Sequence, residues 1–329
     1  MGNLVRLGSV LALAVAMVAP AAAQAEAACA WGIEELPLPS RNEFYFYDVK
    51  GGSDNGEWVL GDGYDLATGG GITILAWRDG VLQPERYGGY TVSDVNNSGV
   101  MAGGERGDAY RVVNGVREAL GKVRGVGAAA AQHINNAGDV LGISGPTFSD
   151  RGPLVVWPAG STTPTMLPGT DDGVVRVPAG IDDGGNVIAQ EERPDGQTWG
   201  RVWDRAGRAT RLDTLPAHDS AVPQIISNGR IFGWSSSRFD GRNVVQWGLD
   251  GKIVRVLTEL DFARDANASG RVLGRTWIRQ DVGVVNAPGE VELLPRLSYG
   301  VVLADNGDVY GTYDGPGSNN ATPLHARCG

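Results

Sequence analysis

Two strings in the chain alternate oxygen-bearing side chains in the way a calcium-binding loop does: Asp94-Val95-Asn96-Asn97-Ser98-Gly99 and Asp265-Ala266-Asn267-Ala268-Ser269-Gly270. A hard divalent cation needs about six to eight oxygens converging on one point, with an acid late in the loop to close it. Glu105 stands at the twelfth place of the first string, but Thr276 stands there in the second, and the ninth places hold Ala102 and Leu273. Asn and Asp have another use here, since their short side chains bond nearby backbone and hold tight turns. The turn reading is adopted, and no metal or cofactor is assigned. Other chemistry-bearing residues do not converge. His133, His218 and His325 are far apart, and neither a His-Glu-x-x-His string nor a Cys/His cluster offers a zinc site. The Gly-x-Ser-x-Gly elbow of a hydrolase nucleophile is absent, so no catalytic residue is named.

The turns that hold these strings recur. Seven times an apolar strand enters an Asn/Asp-x-Gly-type turn and leaves as a second apolar strand ending in Gly or Ala, with turn glycines Gly56, Gly99, Gly138, Gly185, Gly229, Gly270 and Gly307. Their spacing of 37 to 47 residues is the period of a four-stranded propeller blade. In the second unit, strands are expected over 90–96, 100–103, 109–113 and 116–120, giving two hairpins with glycine in each turn. The third strand often ends in tryptophan before a second turn, at Trp77, Trp157, Trp203 and Trp247, with Val112 and Val285 in that place in two other units. A large apolar group at a fixed blade position is core packing between neighbouring sheets. The expected fold is therefore all-β, a seven-bladed β-propeller of four-stranded blades.

The last unit lacks its fourth strand: 301–303, 308–311 and 323–328 supply three. Residues 32–36 near the other end have the look of a fourth strand, so the N-terminal strand is expected to complete the last blade and close the ring. That pairing brings together the two cysteines, Cys29 and Cys328, and a disulfide is expected between them.

Residues 1–25 read as a secretory signal peptide: Arg6 in a short lead, an uncharged apolar run over 7–18, and small residues for cleavage. The run is too short for a membrane span. Residues 26–329 then form a single propeller domain, secreted and extracellular, and a monomer is expected. Removing 1–25 takes Arg6 with it and leaves 27 basic against 38 acidic residues, a net charge of −11. Such a surface repels phosphate backbones, which argues against nucleic acid as a partner. Asn-x-Ser/Thr sequons stand at Asn96, Asn267 and Asn320, the first two in tight repeat turns, and no glycan is assigned to them.

The phrases His133-Ile134-Asn135-Asn136-Ala137-Gly138-Asp139-Val140-Leu141-Gly142 and Gly180-Ile181-Asp182-Asp183-Gly184-Gly185-Asn186-Val187-Ile188, with Asp94 to Gly99, resemble the extracellular HAF-type repeat proteins of bacteria. That resemblance implies export and a propeller-like repeat but names no activity. Asp195-Gly196-Gln197-Thr198-Trp199 resembles the Asp-box of sialidase propellers, less the residue between Asp and Gly, and that box is a structural turn.

Within-hairpin turns share one face of a propeller. Links between second and third strands share the other, and here they are longer and mix aromatics with arginine and carboxylates, as binding surfaces do. The candidate binding residues on this loop face are Tyr64, Arg106, Glu191, Arg193, Trp234, Arg238, Asp240, Trp277, Arg279 and Tyr313. The expected function is a secreted non-catalytic binding module that takes a protein, glycan or cell-envelope ligand. The alternative is a hydrolase or lyase acting on a carbohydrate-like substrate at the central funnel, which requires paired carboxylates with perturbed titration.

Overall fold

The computed structural model describes residues 29–39, 44–66, 71–85, 87–88, 91–125, 127–145, 152–238, 241–277, 281–315 and 321–328. The proposed signal segment, Asp240, Arg279 and Asn320 lie outside them. Among the described residues the strands form seven antiparallel sheets, the blades of a β-propeller, each running outward in strand order from the axis. The innermost strands of blades 1 to 7 are Phe44–Gly52, Thr91–Val95, Ala128–Ile134, Val175–Ile181, Ser220–Ser227, Leu260–Ala266 and Tyr299–Leu303. Blade 1 carries an extra two-residue strand, Tyr87–Gly88, paired to Gly71–Arg78.

Blade 7 takes its outer strand from the start of the chain. Trp31–Glu35 pairs antiparallel with Thr322–Cys328, Trp31 opposite Cys328 and Glu35 opposite Leu324. Cys29 and Cys328 form the expected disulfide, with Cα atoms 5.4 Å apart.

Blades adhere through the core that the tryptophan spacing anticipated. Trp77, Trp157, Trp203 and Trp247 are at most 1% exposed. Each indole also donates its N–H to a carbonyl just past the outer strand of the preceding blade: Trp77 to Pro37 at 2.7 Å, Trp157 to Gly121 at 2.8 Å, Trp203 to Pro168 at 3.2 Å and Trp247 to Asp213 at 2.8 Å. A buried indole N–H needs such a partner, and this one ties each sheet to its neighbour. Val112, Val285 and Ala326 fill the same place in blades 2, 6 and 7, opposite Met101, Val272 and Val309.

One expectation about links fails. In blade 2 the second and third strands are joined by a two-residue turn, Arg106-Gly107, both residues at positive φ, with Glu105 opposite Asp108. Asn-Gly-like chemistry is not required there because Gly107 takes the more demanding place.

Candidate functional site

The repeat motif is a joint between blades. Asn96 Oδ1 accepts the amides of Ser98 and Val100, both at 3.0 Å, and so closes its own turn; its Nδ2 donates to the Asn135 carbonyl of blade 3 at 3.1 Å. Asn135 and Asn267 repeat this, donating onward to the carbonyls of Asp182 and Ala304. The residue after each accepts an amide from the preceding blade: Asn97 from Asn55, Asn136 from Asn97, Asp183 from Asn136, and Asp305 from Ala268. The Asp305 amide donates to the Asp54 carbonyl and joins blade 7 to blade 1. Blade 5 has a shorter turn, and its joints differ: Gly229 donates to the Asp182 carboxylate and Arg230 to the Ala268 carbonyl. The oxygens that looked like calcium ligands are therefore committed to amides, and among the described residues no three acidic, His or Cys side chains converge on a metal position.

Every innermost strand also carries a bulge three residues before the residue that opens its repeat turn. The unpaired residues are Lys50, Ser93, Gln132, Ala179, Gln224, Arg264 and Val301. A bulge leaves one residue without a ladder partner and re-aims its side chain. Six of these seven line a cavity of ≈ 680 Å³ on the propeller axis, open at the repeat-turn end, opposite the face that carries the longer links.

Two carboxylates in this axial cavity are strongly perturbed. Burial pushes Asp94 and Asp265 up to about 7 even though each is bonded by two amides, its own neighbour's and one from the next blade: Val95 and Ile134 for Asp94, Ala266 and Leu303 for Asp265. His133, at the equivalent place in blade 3, is held down at about 4 by burial, partly opposed by its bond to the Pro178 carbonyl of blade 4. Asp54, at the cavity mouth, is raised first by burial and then by Asp183 and Asp305, against a bond from Asn136. Perturbed carboxylates in a funnel are what the catalytic alternative asks for, but Asp94 and Asp265 have both oxygens engaged in holding blades together.

A second cavity, ≈ 430 Å³, opens at the loop end of blades 6 and 7. Its walls are innermost strands, with Phe262 and Arg264 of blade 6 and Tyr299 of blade 7, the end of the second strand of blade 6, with Arg275, and the start of the third strand of blade 5, with Arg242. Asp48 of blade 1, the blade next to blade 7 in the ring, completes it. Asp261, 6% exposed, holds Arg275 in a forked pair at 2.8 to 3.1 Å and lies 3.8 Å from Arg242. The Arg242 guanidinium lies 5.5 Å from the Trp234 ring centre and 5.7 Å from that of Phe262, and those two rings are 5.5 Å apart. Arg264 is exposed, lines both cavities and makes no ion pair among the described residues.

The predicted residues divide. Trp234 does not line this second cavity but packs behind it, against Arg242 and Phe262. Trp277 is 49% exposed at the same end of blade 6, and Arg106 and Arg238 are exposed on loop tips. Arg193 stacks over Trp199 at 4.3 Å, with Arg211 over the same ring at 3.7 Å, and Tyr313 lies under Arg296 at 5.9 Å; Tyr64 is half-buried. Glu191 departs from expectation. It is 1% exposed, its carboxylate sealed between Arg176 and Arg201 at 2.8 Å each, so it meets no ligand at the surface. Arg242, Phe262, Arg264, Arg275 and Tyr299 were missed because they sit inside strands. A charged residue on an innermost strand, as in Leu260 to Ala266, was the available signal.

No protein-family profile matches the chain, and no curated protein does. Among solved structures it is similar to an acylaminoacyl peptidase of Pyrococcus horikoshii, at 8% identity and TM-score 0.59, over 87% of this chain and 52% of that one. It is similar as well to the β-propeller domain of the Trilobed protease from Pyrococcus furiosus, described as having an open velcro topology, at 9% identity and TM-score 0.59, over 87% and 97%. A third likeness is to prolyl oligopeptidase B from Galerina marginata, at 8% identity and TM-score 0.56, over 85% and 47%. The chain thus spans about half the length of the two peptidases. At these identities the likeness is one of fold.

Proposed function

We propose that the chain is an exported, non-catalytic binding module that holds its ligand on the loop face, with residues 1–25 serving as the export signal. The observation that carries this reading is the loop-end cavity of blades 5 to 7. Arginine and aromatic side chains converge there around open space, while the perturbed carboxylates on the axis are spent on joints between blades. Aromatic and arginine side chains at a concave site supply most of the energy in recognition surfaces. The HAF-like repeats and the disulfide support an extracellular setting, since such bonds persist in oxidising compartments. Among the described residues no helix is long and apolar enough to cross a membrane.

The test is a glycan array and pull-down from envelope extracts with the disulfide-intact protein, comparing wild type with Trp234→Ala and Trp277→Ala. Loss of capture with circular dichroism unchanged supports the reading. Capture that survives both substitutions but is lost on blocking the repeat-turn end moves the site to the axial cavity. Turnover of a carbohydrate polymer abolished by Asp94→Asn would establish the catalytic alternative in its place.

A further inference from the structure

Which ligand suits the loop-end cavity follows from its charge. The chain as a whole is acidic, net −10, yet Arg242, Arg264 and Arg275 meet here against two carboxylates, Asp48 and Asp261. Asp261 is consumed by Arg275 and leans on Arg242. Asp48 accepts a hydrogen bond from the Thr312 hydroxyl and makes no ion pair with Arg264 among the described residues; burial raises its pKa, against Thr312, Lys50 and Arg264. Elsewhere arginines such as Arg111, Arg176 and Arg201 are paired with carboxylates within the protein. Arg264 stands apart as an exposed guanidinium at the back of an open cavity.

Resting on the loop-face reading above, we infer that this cavity binds a sugar carrying a carboxylate, with Arg264 pairing the carboxylate and Tyr299 and Phe262 packing the ring. A guanidinium offers two parallel N–H donors that match a carboxylate bidentately. Tyr299, 57% exposed, presents an aromatic surface of the kind that covers the apolar side of a sugar ring. An acidic peptide is less well served. Extended peptides add along a straight sheet edge, and each innermost strand here is broken by a bulge, that of blade 6 twice.

The experiment uses the full disulfide-bonded protein and isothermal titration with trigalacturonate and with sialyllactose, against lactose as neutral control and glucose 6-phosphate as the phosphate arm. These arms separate a uronate source from a sialylated one. The expected result is binding of one or both carboxylate sugars, a weakening of at least tenfold by Arg264→Gln and by Tyr299→Ala, and partial retention by Arg264→Lys. Affinity should fall as salt rises. Lactose binding as well as the acidic sugars, glucose 6-phosphate binding in their place, or no carboxylate sugar binding at all overturns the inference. If the captured ligand is neutral and still depends on Trp234, only the carboxylate assignment falls. If Arg264→Gln abolishes binding of the acidic sugar while Tyr299→Ala and Trp234→Ala leave it intact, the anion sits on the axial side of Arg264 and the loop-face placement falls as well. Because Arg264 is exposed and unpaired among the described residues, its substitution leaves the fold intact, which thermal melting verifies.

Discussion

At the scale of single residues, the axis sets opposite titrations against each other. Asp94 and Asp265 are raised to about 7, so the folded protein holds their protons where the unfolded chain has released them. Their contribution to stability is full below the ordinary carboxylate range and is lost as pH rises towards 7. His133, lowered to about 4, and His325, also lowered by burial, act in the other direction, gaining stability as pH rises to about 6.5. Between about pH 4 and 6.5 the two effects offset, whereas from pH 6.5 to 8 only the carboxylates remain. Melting temperature should therefore fall by a few degrees from pH 6.5 to 8, and Asp94→Asn with Asp265→Asn should flatten that fall; a melting curve that rises over this interval refutes the assignment. Glu191 gives a second residue-scale prediction. Removing its carboxylate leaves Arg176, 3% exposed, facing Arg201 without compensation apart from Asp172. Glu191→Ala should cost about 3 kcal/mol or more in chemical denaturation and leave the affinity of folded protein for its ligand unchanged.

At the scale of elements, the bulge faces a small residue inside each second strand. Opposite the bulge stand Gly61, Gly103, Gly142, Ala189, Gly233, Gly274 and Gly311 in turn. The bulged backbone approaches so closely that a Cβ on Gly233 would sit 2.1 Å from the Val222 carbonyl oxygen, and one on Gly142 would sit 2.0 Å from that of Ala130. Blade 4 has Ala189 at this place, opposite its own bulge. Gly233→Ala should destabilise by about 1–3 kcal/mol, and Ala189→Gly by less; equal costs would mean that the contact is not the cause. The periodic glycine and tryptophan were legible in the sequence because each is a local requirement, a turn or a buried ring, repeated at one spacing. The bulges were not, since an extra residue in a strand reads as ordinary strand until its partner is known. Nor was the loop-end cavity, which joins Asp48, Arg242, Arg264 and Tyr299 from four blades at separations that no periodic pattern encodes.

At the scale of the molecule, stability depends on the last joint of the ring. Chain runs directly from one sheet to the next at every interval, from blade 7 to blade 1 as well, since Trp31–Glu35 precedes Phe44–Gly52; the joint made without chain lies inside blade 7, where Trp31–Glu35 is hydrogen-bonded to Thr322–Cys328. That strand buries little of itself; its pattern alternates half-buried and exposed residues, with Trp31 and Ile33 packing on the blade 7 core. A short outer strand of this kind has little local stability of its own. The Cys29–Cys328 bond spans 299 residues of sequence and keeps the strand in place by denying the unfolded chain its separated ends. In the chain-entropy treatment a closure of this length is worth about 6 kcal/mol, or roughly 10 °C in melting temperature for a domain of this size. Reduction, or Cys29→Ser with Cys328→Ser, should lower the melting point by that order. Hydrogen exchange should quicken first at the amides of Trp31–Glu35 and Thr322–Cys328 and then at Val309–Tyr313, ahead of blades 3 and 4 on the far side of the ring. Uniform acceleration around all blades would instead mean that the ring opens as one cooperative unit, with closure shared by the turn-to-turn bonds that run from Asn97 through Asp305 to Asp54.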